Sequence, residues 1–136
     1  MCLDMGTKRT GVAISDKDMR FVQDFFSFNC GGIKSDIEFL LQKIKISSTS
    51  GLIIGIPFGH VRKNGWNNFI LDFAKKISCA SGLSVHLKDE SDSTNNAELL
   101  MQGFSRKTKK RWKDKLAACC MLEETLDIIS FLKTQA

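Results

Sequence analysis

Residues 1–16 read MCLDMGTKRTGVAISD, two short apolar segments joined through Gly6-Thr7-Lys8-Arg9, the composition of a tight turn. A third segment, the aromatic FVQDFFSF at residues 21–28, follows after a short polar connection. Segments joined so briefly pair only as antiparallel neighbours, so this stretch predicts a three-stranded antiparallel meander. One residue is out of place in it: Asp4 stands inside the first apolar segment.

Downstream the pattern changes. Ser35 and Glu38 have the spacing of a capping box, and Ile37, Leu40, Leu41 and Ile44 fall at helical intervals. A helix from about Ser35 to Ile46 is predicted, ended by the polar run SSTSG at residues 47–51. GLIIGIP, residues 51–57, is an apolar run opened by Gly51 and closed by Pro57, as expected of a strand buried on both faces. After a polar loop from Phe58 to Gly65, the residues Trp66, Phe69, Ile70, Phe73, Ala74 and Ile77 mark one face of a second helix, closed by Ser81-Gly82. LSVHLKDE, residues 83–90, reads as another strand. A short helix from about Thr94 to Gln102, a basic loop from Arg106 and a long helix from Asp114 to Lys133 complete the order βββαβαβαα. Alternation from the fourth strand onward predicts parallel pairing with right-handed crossovers. The expected fold is α/β: a mixed five-stranded sheet, meander plus two parallel strands, flanked by helices. Its 136 residues suit a single domain, 1–136.

Lys and Arg number 20 against 15 Asp and Glu, a net charge of +5 that favours a polyanionic partner. The five cysteines, Cys2, Cys30, Cys79, Cys119 and Cys120, form an odd set without CxxC spacing, and no secretory signal precedes them. Reduced thiols and a cytoplasmic location are expected. The apolar runs are too short to cross a bilayer, so no membrane role is predicted. His60 and His86 are isolated, read respectively as a loop and a strand residue, and suggest no zinc site.

Three acidic positions stand at places that can converge: Asp4 in the first strand, Asp89-Glu90 at the end of the last strand, and Asp114 at the start of the last helix. At 100° per residue, Asp114 falls in the stripe of Ala118, Met121, Leu122, Ile129 and Leu132, facing the core. Each acid also has an ordinary reading: a turn-initiating Asp for Asp4, a solvated strand end for Asp89-Glu90, an N-cap for Asp114. Together they favour a bound cation, because carboxylates buried side by side are costly unless neutralised, and hard oxygen ligands select Mg²⁺ or Mn²⁺. Such ions suit phosphodiester hydrolysis without a side-chain nucleophile. Arg106, Lys107, Lys109, Lys110, Arg111, Lys113 and Lys115 surround Trp112 and flank Asp114, which favours phosphate-backbone binding over a merely solvated loop. Trp112 is read as a packing anchor rather than a base-stacking platform.

The segments LDMGTKRTGVAISD, GLIIGIP, LKDESDST and KTKKRWKDKLAA line up in order with the four signatures of the YqgF family of pre-16S rRNA nucleases, and the chain resembles that family over nearly its whole length. The resemblance implies a ribonuclease H-like fold with Holliday-junction-resolvase-like architecture, and Asp4, Glu90 and Asp114 as the acidic catalytic set. It further implies turn and packing roles for Gly6 and Gly11, a phosphate contact for Arg9, and helix capping or substrate contact for Thr94. The chain departs from the pattern at Ser91, where the family has Arg, with Asp92 unable to replace it, and at Lys113, where the family is apolar. Only Met1, Cys2 and Leu3 precede Asp4, so either a frayed first strand or a misplaced start codon is expected.

The expected function is a metal-dependent nuclease processing the 5′ end of the small-subunit rRNA precursor, with structured RNA or branched DNA as partner and a monomer or weak homodimer as its state. Three rivals stand beside it. A junction resolvase would use the same acids and metal. Phosphotransfer from ATP is suggested by the similarity of DMGTKRTG to the phosphate loop of the actin and sugar-kinase superfamily, but requires a second domain for which 136 residues leave no room. A non-catalytic RNA-binding module would fit the missing Arg at Ser91.

Overall fold

Five strands form one sheet: β1 (Cys2–Met5), β2 (Arg9–Ser15), β3 (Val22–Asn29), β4 (Leu52–Ile56) and β5 (Val85–Asp89), in the order β3-β2-β1-β4-β5. The computed structural model describes residues 1–57, 64–90 and 102–135. Strands β1, β2 and β3 pair antiparallel, whereas β1–β4 and β4–β5 are parallel, as the sequence pattern predicts. Helices α1 (Ile33–Ser47), α2 (Asn64–Ser81) and α3 (Arg106–Gln135) complete the described elements. Nearly all of the short helix expected from Thr94 to Gln102 lies outside the described residues, and Gln102 itself is in a turn.

Alternation along the strands divides the core in two. Leu3, Val12, Leu52, Ile54 and Ile56 point to one face and are covered by Leu40 of α1 and by Ile70, Phe73 and Ile77 of α2. Cys2, Ala13 and Ile53 point to the other, beneath Ala118, Met121, Leu122 and Leu126 of α3. Every residue of β4 is buried, which explains its unbroken apolar run. The α3 face of the sheet is built from smaller side chains, so that helix lies close to the strands.

Three local expectations are corrected. First, β1 does not fray: Met1 is buried, Cys2 and Leu3 are fully buried, and the Met1 ammonium donates to the Gly51 carbonyl at 3.1 Å. Its place between β2 and β4 pins it on both edges. Second, α1 starts earlier and lacks the Ser35 capping box. The chain turns into the helix at Gly32, whose φ of 123° lies where glycine is favoured. Ser35 Oγ donates to the Gly32 carbonyl at 3.1 Å, and the Asp36 carboxylate accepts the Gly31 N–H at 2.9 Å. Third, the basic segment from Arg106 is the opening of α3, not a loop. Ser105 caps it, its Oγ accepting the Thr108 N–H at 3.2 Å and its carbonyl the Lys109 N–H at 2.8 Å. Lys and Arg are good helix formers, so charge density alone does not make a loop. Toward its other end α3 is less covered: Ile129 is half-buried, and Leu132, read from periodicity as core-facing, is 59% exposed.

Between β2 and β3 the turn is organised by Asp16, whose Oδ1 accepts the N–H groups of Arg20 and Phe21 at 2.6 and 3.0 Å while Oδ2 accepts Arg20 Nε–H at 3.1 Å. Burial opposes ionisation of this carboxyl, but the two backbone N–H groups and the guanidinium outweigh it and hold the group down at about 2. Its folded value lies below its unfolded one, so the stabilisation is complete above the ordinary carboxylate range near pH 4 and is lost as the pH falls through about 2. Asp16→Ala is expected to melt below wild type at neutral pH and to show a shallower acid decline between about pH 4 and 2, as read by circular dichroism.

Candidate active site

The parallel strands β1, β4 and β5 bring their C-terminal ends to one side of the sheet, the usual place for a site in an α/β fold. Asp4 lies opposite Gly11 of β2, and Cys2 lies opposite Ala13 and Ile53. Cys2, Ala13 and Ile53 face α3, so by the two-residue period of a strand Asp4, Gly11 and Gly55 face it as well. Lys88 pairs with Gly55 and shares that face, as does Glu90 two residues on. The Glu90 N–H donates to the Ile56 carbonyl at 3.2 Å, extending the ladder one residue past the end of β5.

Gly55 is what admits the Glu90 side chain. A β-carbon at this position would stand 2.6 Å from both Cγ and Oε1 of Glu90 and 2.7 Å from Met121 Sδ. The carboxylate therefore folds inward over bare backbone, between the sheet and α3. Its Oε1 is buried and has no hydrogen-bond partner among the described residues. Asp4 is half-buried on the same face. The buried Cys2 thiol registers both acids: burial pushes its pKa up, the Asp4 and Glu90 carboxylates push it further, and the Met1 ammonium and Lys88 act the other way. Lys88, 19% exposed, forms an ion pair with Glu124 of α3, Nζ to Oε2 at 3.1 Å.

The structure thus brings Asp4 and Glu90 to one face, while Asp89 is exposed. Asp114 does not open its helix: eight residues of α3, from Arg106, precede it, which rules out the N-cap reading. The helical register sets position 114 one turn before Ala118 and two before Met121; its side chain lies outside the described residues. Among the described residues, which do not include the Asp114 side chain, no three His, Cys, Asp or Glu side chains are grouped to hold a metal. Arg9 is half-buried at the start of β2, two residues from Gly11 and on its face. A β-carbon at Gly6 would collide with the Arg9 carbonyl oxygen, so the turn between β1 and β2 closes only with glycine there. Arg106, Lys107 and Lys109 are exposed on the first turns of α3; Lys110, Arg111, Trp112, Lys113 and Lys115 belong to the same helix, with side chains outside the described residues. His60, Ser91, Asp92 and Thr94 also lie outside them, and His86 is exposed on β5.

Gly55, Lys88 and Met121 shape the site without being among the residues the sequence assigns to it. Gly55 carried a signal, since a glycine inside an apolar strand marks a close approach by another group. Met121 and Lys88 carried none, because a methionine on an apolar helix stripe and a lysine near a strand end are ordinary.

The chain matches the family described as RuvX, Holliday junction resolvase, over residues 1–128. A protein of Wolbachia sp. subsp. Brugia malayi (strain TRS) is 35% identical over 136 residues, covering 98% of this chain and 88% of its own length. One of Rickettsia rickettsii (strain Sheila Smith) is 30% identical over 134 residues, covering 95% and 86%. Both carry the name "Putative pre-16S rRNA nuclease". Among solved structures, T. thermophilus RuvC in complex with a Holliday junction substrate superposes with a TM-score of 0.63 at 9% identity, covering 94% of this chain and 92% of that one. That likeness is one of fold, and the fold is ribonuclease H-like. By the extent of the family match and the identity to these relatives, the chain belongs to the RuvX family of Holliday junction resolvases.

Proposed function

We propose that this protein is a divalent-metal-dependent nuclease that hydrolyses phosphodiester bonds in the cytoplasm, processing the 5′ end of pre-16S rRNA. The observation that carries the metal site is the Glu90 carboxylate, folded over Gly55 with a buried oxygen that lacks a partner among the described residues, on the face that carries Asp4. A carboxylate in such a place is costly unless a cation meets it, and two hard oxygen donors suit Mg²⁺ or Mn²⁺. Asp4 and Glu90 would hold the ion, with Asp114 as third ligand. When bound, the ion would supply Lewis-acid polarisation of the phosphate and a more acidic water.

The remaining work falls to the chain itself. Cys2 and Met121 line the inner wall of the carboxylate site with apolar surface and keep bulk water from the buried oxygen of Glu90. Arg9 contacts a phosphate near Asp4. Arg106, Lys107, Lys109, Lys110, Arg111 and Lys113 carry the nucleic-acid backbone along the opening turns of α3. The family match and the names of the two relatives support this reading.

The test is cleavage of an end-labelled pre-16S 5′ leader, a four-way DNA junction and plain duplexes, each with Mg²⁺, Mn²⁺ or EDTA. Metal-dependent cutting of the leader, lost in Asp4→Asn, is the expected result. Selective cutting of the junction would reassign the substrate to branched DNA, and tight binding without cutting would make the protein a binding module. In the same binding experiments, Ala at Arg106, Lys107 and Lys109 together is expected to flatten the slope of log affinity against log salt by roughly 2 to 3, with no change in metal dependence.

A further inference from the structure

Lys88 is a cation on the face of the two acids, and it has no part in the metal site proposed above. It occupies β5 directly beside Gly55, on the face that carries Asp4 and Glu90. Two strand spacings separate it from Asp4 and one two-residue step from Glu90, so the backbone positions are about 7–10 Å apart. It is mostly buried, and its Nζ is drawn to Glu124 on α3 at 3.1 Å. The Cys2 thiol, one row away on the same face, responds to Lys88 as well as to Asp4 and Glu90. A fixed charge at such a range, little screened by solvent, acts on any ion entering the site.

We propose that Lys88, held by Glu124, is an internal counter-cation that sets the affinity of the carboxylate site for its divalent ion. Resting on the metal-site reading above, this assigns Lys88 a positioning role rather than a place among the ligands. Its charge compensates part of the Asp4–Glu90 repulsion in the ion-free protein, which lets the acids share one face. The same charge repels an incoming divalent ion. The free protein therefore binds the ion weakly, and tight binding awaits the negative charge of a substrate phosphate, which is how Mg²⁺ is commonly held by a few carboxylates together with substrate. Glu124 keeps the ammonium directed at α3, so that it does not collapse onto the carboxylates.

The experiment is calorimetric titration of the full chain with MnCl₂ at fixed ionic strength, without nucleic acid, with folding of each variant checked by circular dichroism. Lys88→Met is expected to bind Mn²⁺ about tenfold more tightly than wild type and Lys88→Arg to match wild type. Glu124→Gln is expected to weaken binding several-fold, an effect that shrinks in the Lys88→Met background because Glu124 acts through Lys88. Lys88→Gln serves in place of Lys88→Met if the latter fails to fold. Equal affinities in wild type and both neutral Lys88 variants would overturn the inference and leave the metal site standing. Mn²⁺ binding that is absent from wild type and Lys88→Met alike, or unchanged by Glu90→Gln, would overturn the site and the inference with it.

Discussion

Glu90→Gln is expected to lower metal-dependent cleavage by about 100-fold or more while leaving the fold as stable as wild type or more so. Loss of groups that merely orient metal ligands costs 10–100-fold, so loss of a ligand's charge lies at or beyond the upper end of that range. Stability should move the other way. Glu90 Oε1 is buried without a partner among the described residues, and an unsatisfied buried polar atom costs about 1–3 kcal/mol. An amide of the same shape still buries a polar atom there, but it removes the charge and its repulsion from Asp4, so a gain of about 1 kcal/mol in the ion-free protein is expected. Two measurements check this: single-turnover cleavage with Mn²⁺, and thermal melting with and without MnCl₂. Wild type should gain melting temperature with the ion and Glu90→Gln should not, since only binding to the folded state raises stability. A variant that is both inactive and destabilised would make Glu90 a structural residue, and a fully active one would remove it from the metal site.

How much of this was legible from the sequence depends on whether a signal is local or depends on packing. The meander, the two parallel strands and the helices were legible because alternation, apolar runs and 3.6-residue periodicity are properties of neighbouring residues. Charge masks the start of α3 in the sequence: Arg106 to Lys113 contains no apolar residue except Trp112, so the periodic signal begins only after the helix has already run two turns. The one local signal of the start is the Ser105 cap. Likewise Ser35 looked like a cap, but Gly32 turns the chain sooner, and the cap belongs to backbone conformation rather than spacing. For the candidate site, Asp4 and Glu90 drew attention as acids beside apolar runs. Their meeting on one face follows from register between strands that are far apart in sequence, β1 with β4 and β4 with β5, which no local pattern encodes. Lys88 and Met121 became visible only with that register and with α3 laid across it.

Gly55→Ala should separate folding from catalysis most cleanly. Two terms act on stability in opposite directions. A strand interior favours Ala over Gly by roughly 0.5–1 kcal/mol through chain entropy. Against this, the added carbon would stand 2.6 Å from Cγ and Oε1 of Glu90 and 2.7 Å from Met121 Sδ, and overpacking costs about 1–3 kcal/mol. All three obstructing atoms belong to unbranched, flexible side chains, so the clash is relieved by moving them and the variant should fold with a net loss of no more than about 2 kcal/mol. Glu90 is then displaced, and misplacement of a reacting group by about 1 Å can cost 100-fold in rate. Cleavage should fall by more than tenfold in a protein whose circular dichroism and melting remain near wild type. The double variant Gly55→Ala, Met121→Ala offers the decisive comparison, because removing the sulfur gives the crowded carboxylate room to return. Partial recovery of cleavage, despite the cavity left in the α3 core, would identify the inward position of Glu90 as the cause. Full activity in the single variant would mean that catalysis does not use that position.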